Sequence, residues 1–460
     1  MNRITVLSTS AALAFAFTAT VAIANTPGPD SWPRWRGPNA NGVVLKANPP
    51  TKWSEEENVK WKMKIPGFGT STPIILGDQV FVLTAIAGEA AEPKAEAVPA
   101  AQVAPEPEGN DRRRRRRGGG GGRSEQPATP QKFTVLSVDK NTGKTLWQTV
   151  VREEVPHEGH HRDHGYASGS PVTDGEHLFA SFGSRGIYCL DLGGKVIWEK
   201  DLGDMQTRNG FGEGTSPALH GETLVVNWDH EGDDFVVALN KRDGREVWRK
   251  TRDEATSWAT PLIVEHDGKA QVIISASNRI RSYDLATGEQ IWECAGMTGN
   301  VIPTPIYSEG ILYITSGFRG ASFMAIKLGA TGDLTDTDAV LWKHTKNTPY
   351  VPSPLLHKGR LYFFSGNNGT LSILEAATGK PLVEAQRIED LLGGVYASPV
   401  AVDDRIYLVG RDGKTVVIKA GDQVEQLATN KLDDKFDASA AIVGKQLFLR
   451  GHQHLYCISE

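Results

Sequence analysis

Residues 256–292 read TSWATPLIVEHDGKAQVIISASNRIRSYDLATGEQIW. Four apolar, β-branched segments can be marked within this stretch, at residues 261–265, 270–276, 280–285 and 290–293. They are separated by the short polar turns HDG, SNR and ATG, which contain the residue types that favour tight reversals. The stretch therefore predicts a four-stranded antiparallel meander, with strands A to D in chain order.

The same pattern recurs along the chain, and a Ser/Thr-Pro dipeptide marks the start of each copy. The marker prolines are Pro73, Pro171, Pro217, Pro261, Pro305, Pro354 and Pro399. From Pro171 onward, subtracting successive residue numbers gives steps of 46, 44, 44, 49 and 45 residues. An eighth copy has Ala440 in place of the proline, 41 residues later. A period of this length in strand-like sequence predicts an all-β propeller.

The count of blades depends on the two ends of the repeat region. The eighth copy ends after its third strand, at Glu460, whereas residues 58–65, NVKWKMKI, form a lone strand before the first copy. If this N-terminal strand completes the last blade, the ring closes and two exposed sheet edges disappear. We therefore predict eight four-stranded blades in one domain over residues 58–460.

A glycine and a tryptophan four residues later mark the turn between strands C and D. The pairs are Gly143 with Trp147, Gly194 with Trp198, Gly244 with Trp248 and Gly288 with Trp292. Glycine supplies the positive φ of the turn, and the indole supplies a wide apolar surface. We expect each tryptophan to pack against the neighbouring blade.

The segments outside the repeat predict export. Residues 1–24 have the features of a cleavable signal peptide: Arg3, an apolar stretch over residues 11–23, and Ala-Ile-Ala before the cut. The predicted location is periplasmic or secreted, with no lipid-anchor cysteine at the cut and no membrane-spanning segment. Residues 25–57, with Trp32 and Trp35, are predicted to form an extended arm along the propeller.

Residues 88–131 interrupt the first blade between strands B and C. This insertion contains Arg112–Arg117 and a run of glycines, and its composition predicts disorder. It can be interpreted as a solvated spacer or as an electrostatic tether to an anionic polymer or membrane. The whole chain carries a net charge of −5 with a pI near 6.2, so we expect no specific nucleic-acid binding. We also expect a monomer.

Because strand direction alternates, the D–A and B–C loops lie on one face of the ring and the A–B and C–D turns on the other. The first, loop-rich face is predicted to bind a ligand, since its loops are rich in aromatic and arginine side chains. The same residue types can also simply cap strand ends. The candidates are Tyr166, Arg185, Asp229, His230, Glu231, Trp258, Asn278, Arg279, Phe318, Arg319, Tyr350, Asn367, Tyr396, Arg411 and Asp412.

One loop of this face, VPHEGHHRDHGYASGSP at residues 155–171, is dense in metal-type ligands. A metal site at its histidines is one interpretation, although no known zinc spacing is matched. A polar rim loop that contributes one or two histidines to the mouth is the other. The candidate ligands are His157, His160, His161 and His164.

The repeat resembles the PQQ-like β-propeller family, whose units combine a Ser-Pro strand, an aspartate-ended third strand, a Thr-Gly-Lys turn and a tryptophan. The segments SPVTDGEHLFASFGSRGIYCLDLGGKVIWE and IRSYDLATGEQIWE carry this resemblance, which extends over about residues 55–460. The family includes quinoprotein dehydrogenases, which bind PQQ and calcium, and scaffolds of the outer-membrane assembly factor BamB type.

The resemblance leaves several functions open. The chain lacks the adjacent cysteine pair of the dehydrogenases and a CxxCH haem motif, and it lacks the lipid-anchor signal of the BamB type. We expect a binding or scaffold protein that engages an envelope or secreted protein, or a small anionic or planar ligand. A PQQ- and calcium-dependent oxidoreductase acting on alcohols or sugars is the alternative. A metal- or saccharide-related enzyme is a third possibility.

Overall fold

A computed structural model describes residues 31–89 and 127–460. Within these ranges the chain forms eight sheets around a core of four antiparallel strands each, two of them extended to five by a short parallel strand, so the prediction of an eight-bladed all-β propeller is confirmed. The repeat quoted above is blade 4, and its observed strands begin and end within two residues of the predicted ones.

The strands are numbered in chain order. Two precede the first blade: β1 (Val43–Val44) and β2 (Val59–Lys64). Blade 1 contains β3 (Ile74–Leu76), β4 (Gln79–Ala87), β5 (Gln131–Asp139) and β6 (Thr145–Glu154), and blade 2 contains β7 (Val172–Thr173), β8 (His177–Ser181), β9 (Ile187–Asp191) and β10 (Val196–Lys200). Blade 3 contains β11 (Ala218–His220), β12 (Thr223–Trp228), β13 (Phe235–Asn240) and β14 (Glu246–Thr251). Blade 4 contains β15 (Leu262–His266), β16 (Lys269–Ile274), β17 (Ile280–Asp284) and β18 (Gln290–Cys294).

Blades 5 to 8 follow in the same order. Blade 5 contains β19 (Ile306–Ser308), β20 (Ile311–Ser316), β21 (Ser322–Lys327) and β23 (Val340–His344), and the short β22 (Gly332–Asp333) lies in the connection before β23 and pairs with blade 4. Blade 6 contains β24 (Leu355–His357), β25 (Arg360–Phe364), β26 (Thr370–Glu375) and β27 (Pro381–Arg387), and blade 7 contains β28 (Val400–Val402), β29 (Arg405–Val409), β30 (Lys414–Lys419) and β31 (Glu425–Lys431). Blade 8 contains β32 (Ala441–Val443), β33 (Gln446–Arg450) and β34 (His454–Ile458). In the described residues, three short 3-10 helices lie in loops, at Gly183–Arg185, Arg208–Gly210 and Glu389–Leu391.

The ring closes through the N-terminal strand, as predicted. Strand β2 pairs antiparallel with β34 and supplies the outer strand of blade 8, with Trp61 opposite Cys457. The backbone amide of Ser459 also donates to the carbonyl of Asn58 at 2.9 Å. This pairing satisfies backbone groups that would otherwise be left at an open sheet edge.

The tryptophans of strand D join neighbouring blades, also as predicted. Trp248 of blade 3 lies over Gly288 in the C–D turn of blade 4, and its indole N–H donates to the carbonyl of Leu285 at 2.8 Å. Gly288 has a φ of +71°, and a Cβ there would lie 2.6 Å from the indole, so both the turn and the contact require glycine. Trp61, Trp147, Trp198 and Trp342 make the same contact with the following blade.

Blade 4 departs from this arrangement because the C–D connection of blade 5 is longer. That connection reaches back and adds β22 in parallel to the outer edge of blade 4, where Trp292 lies opposite Gly332. The indole N–H of Trp292 points to the Gln271 side chain of its own blade, at 3.3 Å. A short added strand thus replaces the tryptophan–turn contact at this boundary.

Residues 31–57 run along the turn side of the propeller and cross its axis. The backbone of Trp32 exchanges two hydrogen bonds with Ile75 of blade 1, both 2.9 Å. Arg34 donates to the carbonyl of Leu219 in blade 3 at 3.0 Å, whereas Arg36 donates to that of Pro354 before blade 6 at 2.7 Å. Since blades 3 and 6 are three positions apart in a ring of eight, the chain between these arginines closes this end of the central channel.

Two predicted segments fall wholly or largely outside the described residues. These are the signal peptide, residues 1–24, and most of the insertion at residues 88–131. Within residues 31–89 and 127–460, no helix has the length and apolar character needed to cross a bilayer.

Candidate functional site

A central cavity of about 680 Å³ lies on the axis of the propeller and opens on the loop-rich face. Its closed end is formed by Trp35 of the N-terminal arm, and its wall by the residues that precede each strand A. A cavity of this size is in the range of small-molecule sites. The position on the axis is decided by the ring, because every blade directs its D–A loop toward the same opening.

The hydroxyls of the Ser/Thr-Pro motifs form a circle around this cavity. At six of the eight positions the backbone N–H of the motif residue donates to the hydroxyl of the next motif, and these bonds join neighbouring blades. Six such bonds are made: Thr72 to Ser170, Ser170 to Ser216, Ser216 to Thr260, Thr304 to Ser353, Ser353 to Ser398 and Ser398 to Ser439, at 2.9 to 3.2 Å. We call these eight residues the hydroxyl circle.

Aromatic side chains form much of the wall above the hydroxyl circle. Phe318 and Tyr350 stack on each other with ring centroids 5.0 Å apart, and the guanidinium of Arg319 lies 5.2 Å from the Phe318 centroid. Trp258 is fixed by a 2.7 Å hydrogen bond from its indole N–H to the carbonyl of Gly212. Together they give the opening an aromatic wall with a cation at its edge.

The loop at residues 155–171 reaches across the mouth through Asp163. One carboxylate oxygen of Asp163 lies 3.2 Å from Arg411, and the other accepts a hydrogen bond from Tyr396 at 3.2 Å. Arg411 also pairs with Asp437 at 2.6 Å and lies 3.8 Å from the centre of the Tyr396 ring. Because Arg411 follows strand β29 of blade 7 and Tyr396 lies in the loop before that blade, this network ties the loop at residues 155–171 to blade 7.

Electrostatics in this network keep Asp163 ionised and the phenol of Tyr396 neutral. Partial burial alone would raise the pKa of Asp163, but its contacts with Arg411 and Tyr396 outweigh that effect and lower the pKa. Burial, with the two carboxylates nearby, raises the pKa of Tyr396 to about 12. The network is therefore a fixed ion cluster at neutral pH.

The four histidines of this loop do not form a common ligand group in the described part of the chain. His161 and His164 line the central cavity, and His160 packs edge-on against Tyr166 with centroids 4.6 Å apart. Desolvation, reinforced by His160 and His161, lowers the pKa of His164 to about 4, so its imidazole is neutral at neutral pH. Its Nδ1 lies 2.6 Å from the hydroxyl of Ser168.

His157 belongs instead to a recess beside the main cavity. With Glu158 and Glu213 it forms a group whose possible ligand atoms all lie within 4.8 Å, the one such group in the described part of the chain. Arg185 donates to its Nδ1 at 2.9 Å, and its Nε2 lies 2.5 Å from the carbonyl of Met205. Both ring nitrogens are thus engaged by protein groups.

The two glutamates of the recess are also held by protein donors. Glu213 accepts from the amide and hydroxyl of Ser184 at 2.6 and 2.5 Å, and Glu158 accepts from the amide of Thr207 at 3.2 Å. Burial raises the pKa of both carboxyl groups, and the nearby Glu158 adds to the rise at Glu213. The recess could take a cation only if these contacts were exchanged.

The structure brings together part of the predicted set of ligand-binding residues. The members that line the central cavity are Trp258, Phe318, Arg319, Tyr350, Asn367 and Tyr396. Arg411 does not line the cavity itself, but it pairs with Asp163 and Asp437, which do. Tyr166 and Arg185 lie at the histidine recess.

The other predicted residues do not line the central cavity and make internal contacts, although Asp229 borders the histidine recess. Asp229 is buried and pairs with Arg252 at 2.6 Å, and His230 accepts from the amide of Gln206 at 3.0 Å. Glu231 accepts from Thr256, Asn278 and Arg279 are fixed to Glu254 through their amides, and Asp412 accepts from Lys414. At these positions the strand-capping interpretation fits the contacts.

Several cavity residues were not singled out from the sequence. Arg208 and Asn209 lie at the rim in a 3-10 helix, and Trp35 closes the floor from the arm. The hydroxyl circle had a visible signal, since serine or threonine precedes the marker position in each of the eight copies. That signal predicted the spacing of the blades. It did not predict the hydrogen bonds, because the backbone N–H that binds each hydroxyl belongs to the neighbouring blade.

The chain was compared with known proteins. The family model described as outer membrane protein assembly factor BamB matches residues 131–321 and 295–460. Two curated proteins of that name are similar. The Yersinia pestis protein is 22% identical over 262 residues, covering 54% of this chain and 60% of the relative. The Shewanella oneidensis protein is 24% identical over 296 residues, covering 61% and 65%. The chain thus spans less than two thirds of these relatives.

Solved structures are similar in fold. BamB from Moraxella catarrhalis superposes with a TM-score of 0.52 at 14% identity, covering 70% of this chain and 91% of that one. Quinohemoprotein alcohol dehydrogenase from Comamonas testosteroni gives a TM-score of 0.60 at 10% identity, covering 94% and 81%. At these identities the likeness concerns the propeller fold.

Proposed function

Because this chain belongs to the family of PQQ-like propellers described as outer membrane protein assembly factor BamB, we propose that it is a binding or scaffold protein of the cell envelope. It engages an envelope protein through the loop-rich face. Export by the N-terminal signal at residues 1–24 is part of this proposal.

The proposal rests on the difference between the two faces of the propeller. On the turn side the chain makes short reversals, and the arm closes the channel. The loop-rich side has an open aromatic cavity whose rim carries Arg208 and Arg319, and neither arginine makes an ion pair with a carboxylate of the described chain. An exposed cation beside aromatic side chains is typical of a recognition surface.

Retention of an envelope protein from an extract tests the proposal. The double variant Arg208→Glu/Arg319→Glu reverses the rim charge, whereas Arg242→Glu reverses an exposed charge on the turn side, where Arg242 pairs with Glu222 at 2.5 Å. We expect the wild type and Arg242→Glu to retain the same partner and the rim variant to lose most of it. Equal retention by all three would contradict the assignment of the face, and no specific partner would contradict the scaffold role.

The residues of the cavity fit the alternative, a calcium–quinone centre, poorly. Calcium requires several free oxygen ligands, with carboxylates prominent among them. The two carboxylates that line the cavity, Asp163 and Asp437, are both engaged by Arg411, and Asp437 also by His452 at 2.8 Å. A bound calcium would have to displace this arginine, so the scaffold role has the stronger support.

A further inference from the structure

The hydroxyl circle presents hydrogen-bond donors to the central cavity. Six of its members line the cavity: Thr72, Ser170, Ser216, Thr260, Ser398 and Ser439. In five of them the oxygen accepts the backbone N–H of the neighbouring motif. None of the six hydroxyls donates to another group of the described chain, so each still has its own hydrogen to donate. Most of the six are more than nine-tenths buried.

The charges around the cavity favour an anion. The lining carboxylates Asp163 and Asp437 are both engaged by Arg411, and Asp437 also by His452. Arg208 and Arg319 also line the cavity and have no carboxylate partner in the described chain. These two guanidinium groups are therefore available to an anionic ligand in the cavity.

The circular arrangement of the hydroxyl donors indicates which kind of anionic ligand fits the cavity. Donors spread around a circle are matched by a molecule with acceptors spread around its perimeter, which is the arrangement of oxygen atoms on a pyranose ring. The indoles of Trp258 and Trp35 line the cavity and make no ring contact with another described aromatic side chain, so each can receive an apolar sugar face. A volume of about 680 Å³ leaves room for more than one sugar ring.

We propose that the central cavity binds a small acidic sugar, with the hydroxyl circle donating to the ring oxygens and Arg208 and Arg319 holding the acidic group. This inference goes beyond the envelope-scaffold function, since sugar binding requires no protein partner. The two proposals share Arg208 and Arg319 at the rim, whereas Ser398 belongs only to the sugar site, so Ser398→Ala separates them. Loss of the protein partner with sugar binding intact would therefore leave this inference standing, and the reverse result would leave the scaffold role standing.

Calorimetric titration of the full chain tests the ligand class. The probes are glucuronate, glucose and benzene-1,3,5-tricarboxylate, which separate an acidic sugar from a neutral sugar and from a planar aromatic acid. We expect glucuronate to bind at least about 10-fold more tightly than glucose, because a charge-assisted hydrogen bond contributes more than a neutral one. No binding of glucuronate at millimolar concentration, or tighter binding of the aromatic acid, would overturn the inference.

Two neighbouring serines provide a matched pair of variants. Ser398→Ala and Ser353→Ala each remove one inter-blade hydrogen bond, of 2.9 and 3.0 Å, but only Ser398 lines the cavity. We expect equal losses in melting temperature and about 5- to 10-fold weaker glucuronate binding for Ser398→Ala alone. Equal affinities in the two variants would exclude the circle from the site.

The charge contribution is tested separately. Arg208→Ala should reduce the preference for glucuronate over glucose without lowering the melting temperature, because the Arg208 side chain makes no hydrogen bond within the described chain. An unchanged preference in Arg208→Ala and in Arg319→Ala would remove the arginines from the proposal.

Discussion

The boundary between blades 3 and 4 and the boundary between blades 7 and 8 meet the same packing requirement with different parts of the chain. At the first, Trp248 from strand D of blade 3 covers the turn of blade 4. At the second, blade 7 has Ala428 opposite Val417 on its outer strand pair and no tryptophan of its own. There the arm supplies Trp53, which stacks on Tyr407 at 6.3 Å and packs in one apolar cluster with Ala428.

The two boundaries also differ in their polar contacts. Between blades 3 and 4, Arg252 pairs with buried Asp229 and donates to Tyr283 of blade 4 at 2.7 Å. At blade 7 the contacts come from the arm: the amide of Trp53 donates to Asn430 at 2.7 Å, and Tyr407 donates to the carbonyl of Pro49 at 3.2 Å. A repeat can thus lose its own connection to the next blade when a distant segment replaces it.

Removal of the last blade should destabilise the propeller more than any single substitution. Deleting residues 435–460 removes β32, β33 and β34, and leaves β2 without its partner. We expect the loss of a cooperative unfolding transition, measured by circular dichroism during heating. A truncated chain that melts like the full one would contradict closure by β2.

Breaking the buried ion pair should be the most damaging single substitution. Asp229→Ala leaves the buried guanidinium of Arg252 without its carboxylate, which should lower the free energy of unfolding by about 3–5 kcal/mol. Chemical denaturation measures this loss. The double variant Asp229→Ala/Arg252→Met should recover much of it, and no recovery would indicate that the loss comes from packing alone.

The two tryptophan contacts can be compared directly. Trp248→Ala and Trp53→Ala should each lower the free energy of unfolding by about 3 kcal/mol, because each removes a buried indole between blades. Only Trp53→Ala should make residues 31–57 sensitive to limited proteolysis. Leu45→Ala, at an exposed position of the same arm, is the matched control. Resistance of the arm in Trp53→Ala would show that other contacts hold it.

The smallest expected effect depends on pH. Burial raises the pKa of Glu213 from 4.5 to about 7, so between these values the folded protein holds a proton that the unfolded chain releases. The free energy of unfolding should therefore fall as the pH rises through this window, by on the order of 1–2 kcal/mol. Glu213→Gln should flatten this dependence, whereas Trp53→Ala should keep it. A slope unchanged in Glu213→Gln would assign it to another group.

Much of the fold, and less of the site, could be predicted from the sequence. The number of blades followed from the spacing of the copies, and closure by the strand with Trp61 followed from an incomplete last copy and a strand without a partner. Both are regularities of the repeat that can be counted along the chain. The loops were harder to interpret. Asp229 and Trp258 both belong to loops of the same face, yet the first turns inward to Arg252 and the second lines the cavity. A loop sequence carries no periodicity that would predict its direction.

The sequence by itself determined the repeat, the eight copies and the face on which the loops rich in aromatic and arginine side chains lie. It could do so because strand alternation and turn residues act locally. Only the tertiary structure decided what the Ser/Thr-Pro motifs do. Ser170 accepts from Thr72 of the preceding motif, 98 positions earlier in the chain. The hydroxyl circle, the floor at Trp35 and the contact of Asp163 with Arg411 all join residues distant in sequence. They exist because the ring brings every blade to one axis.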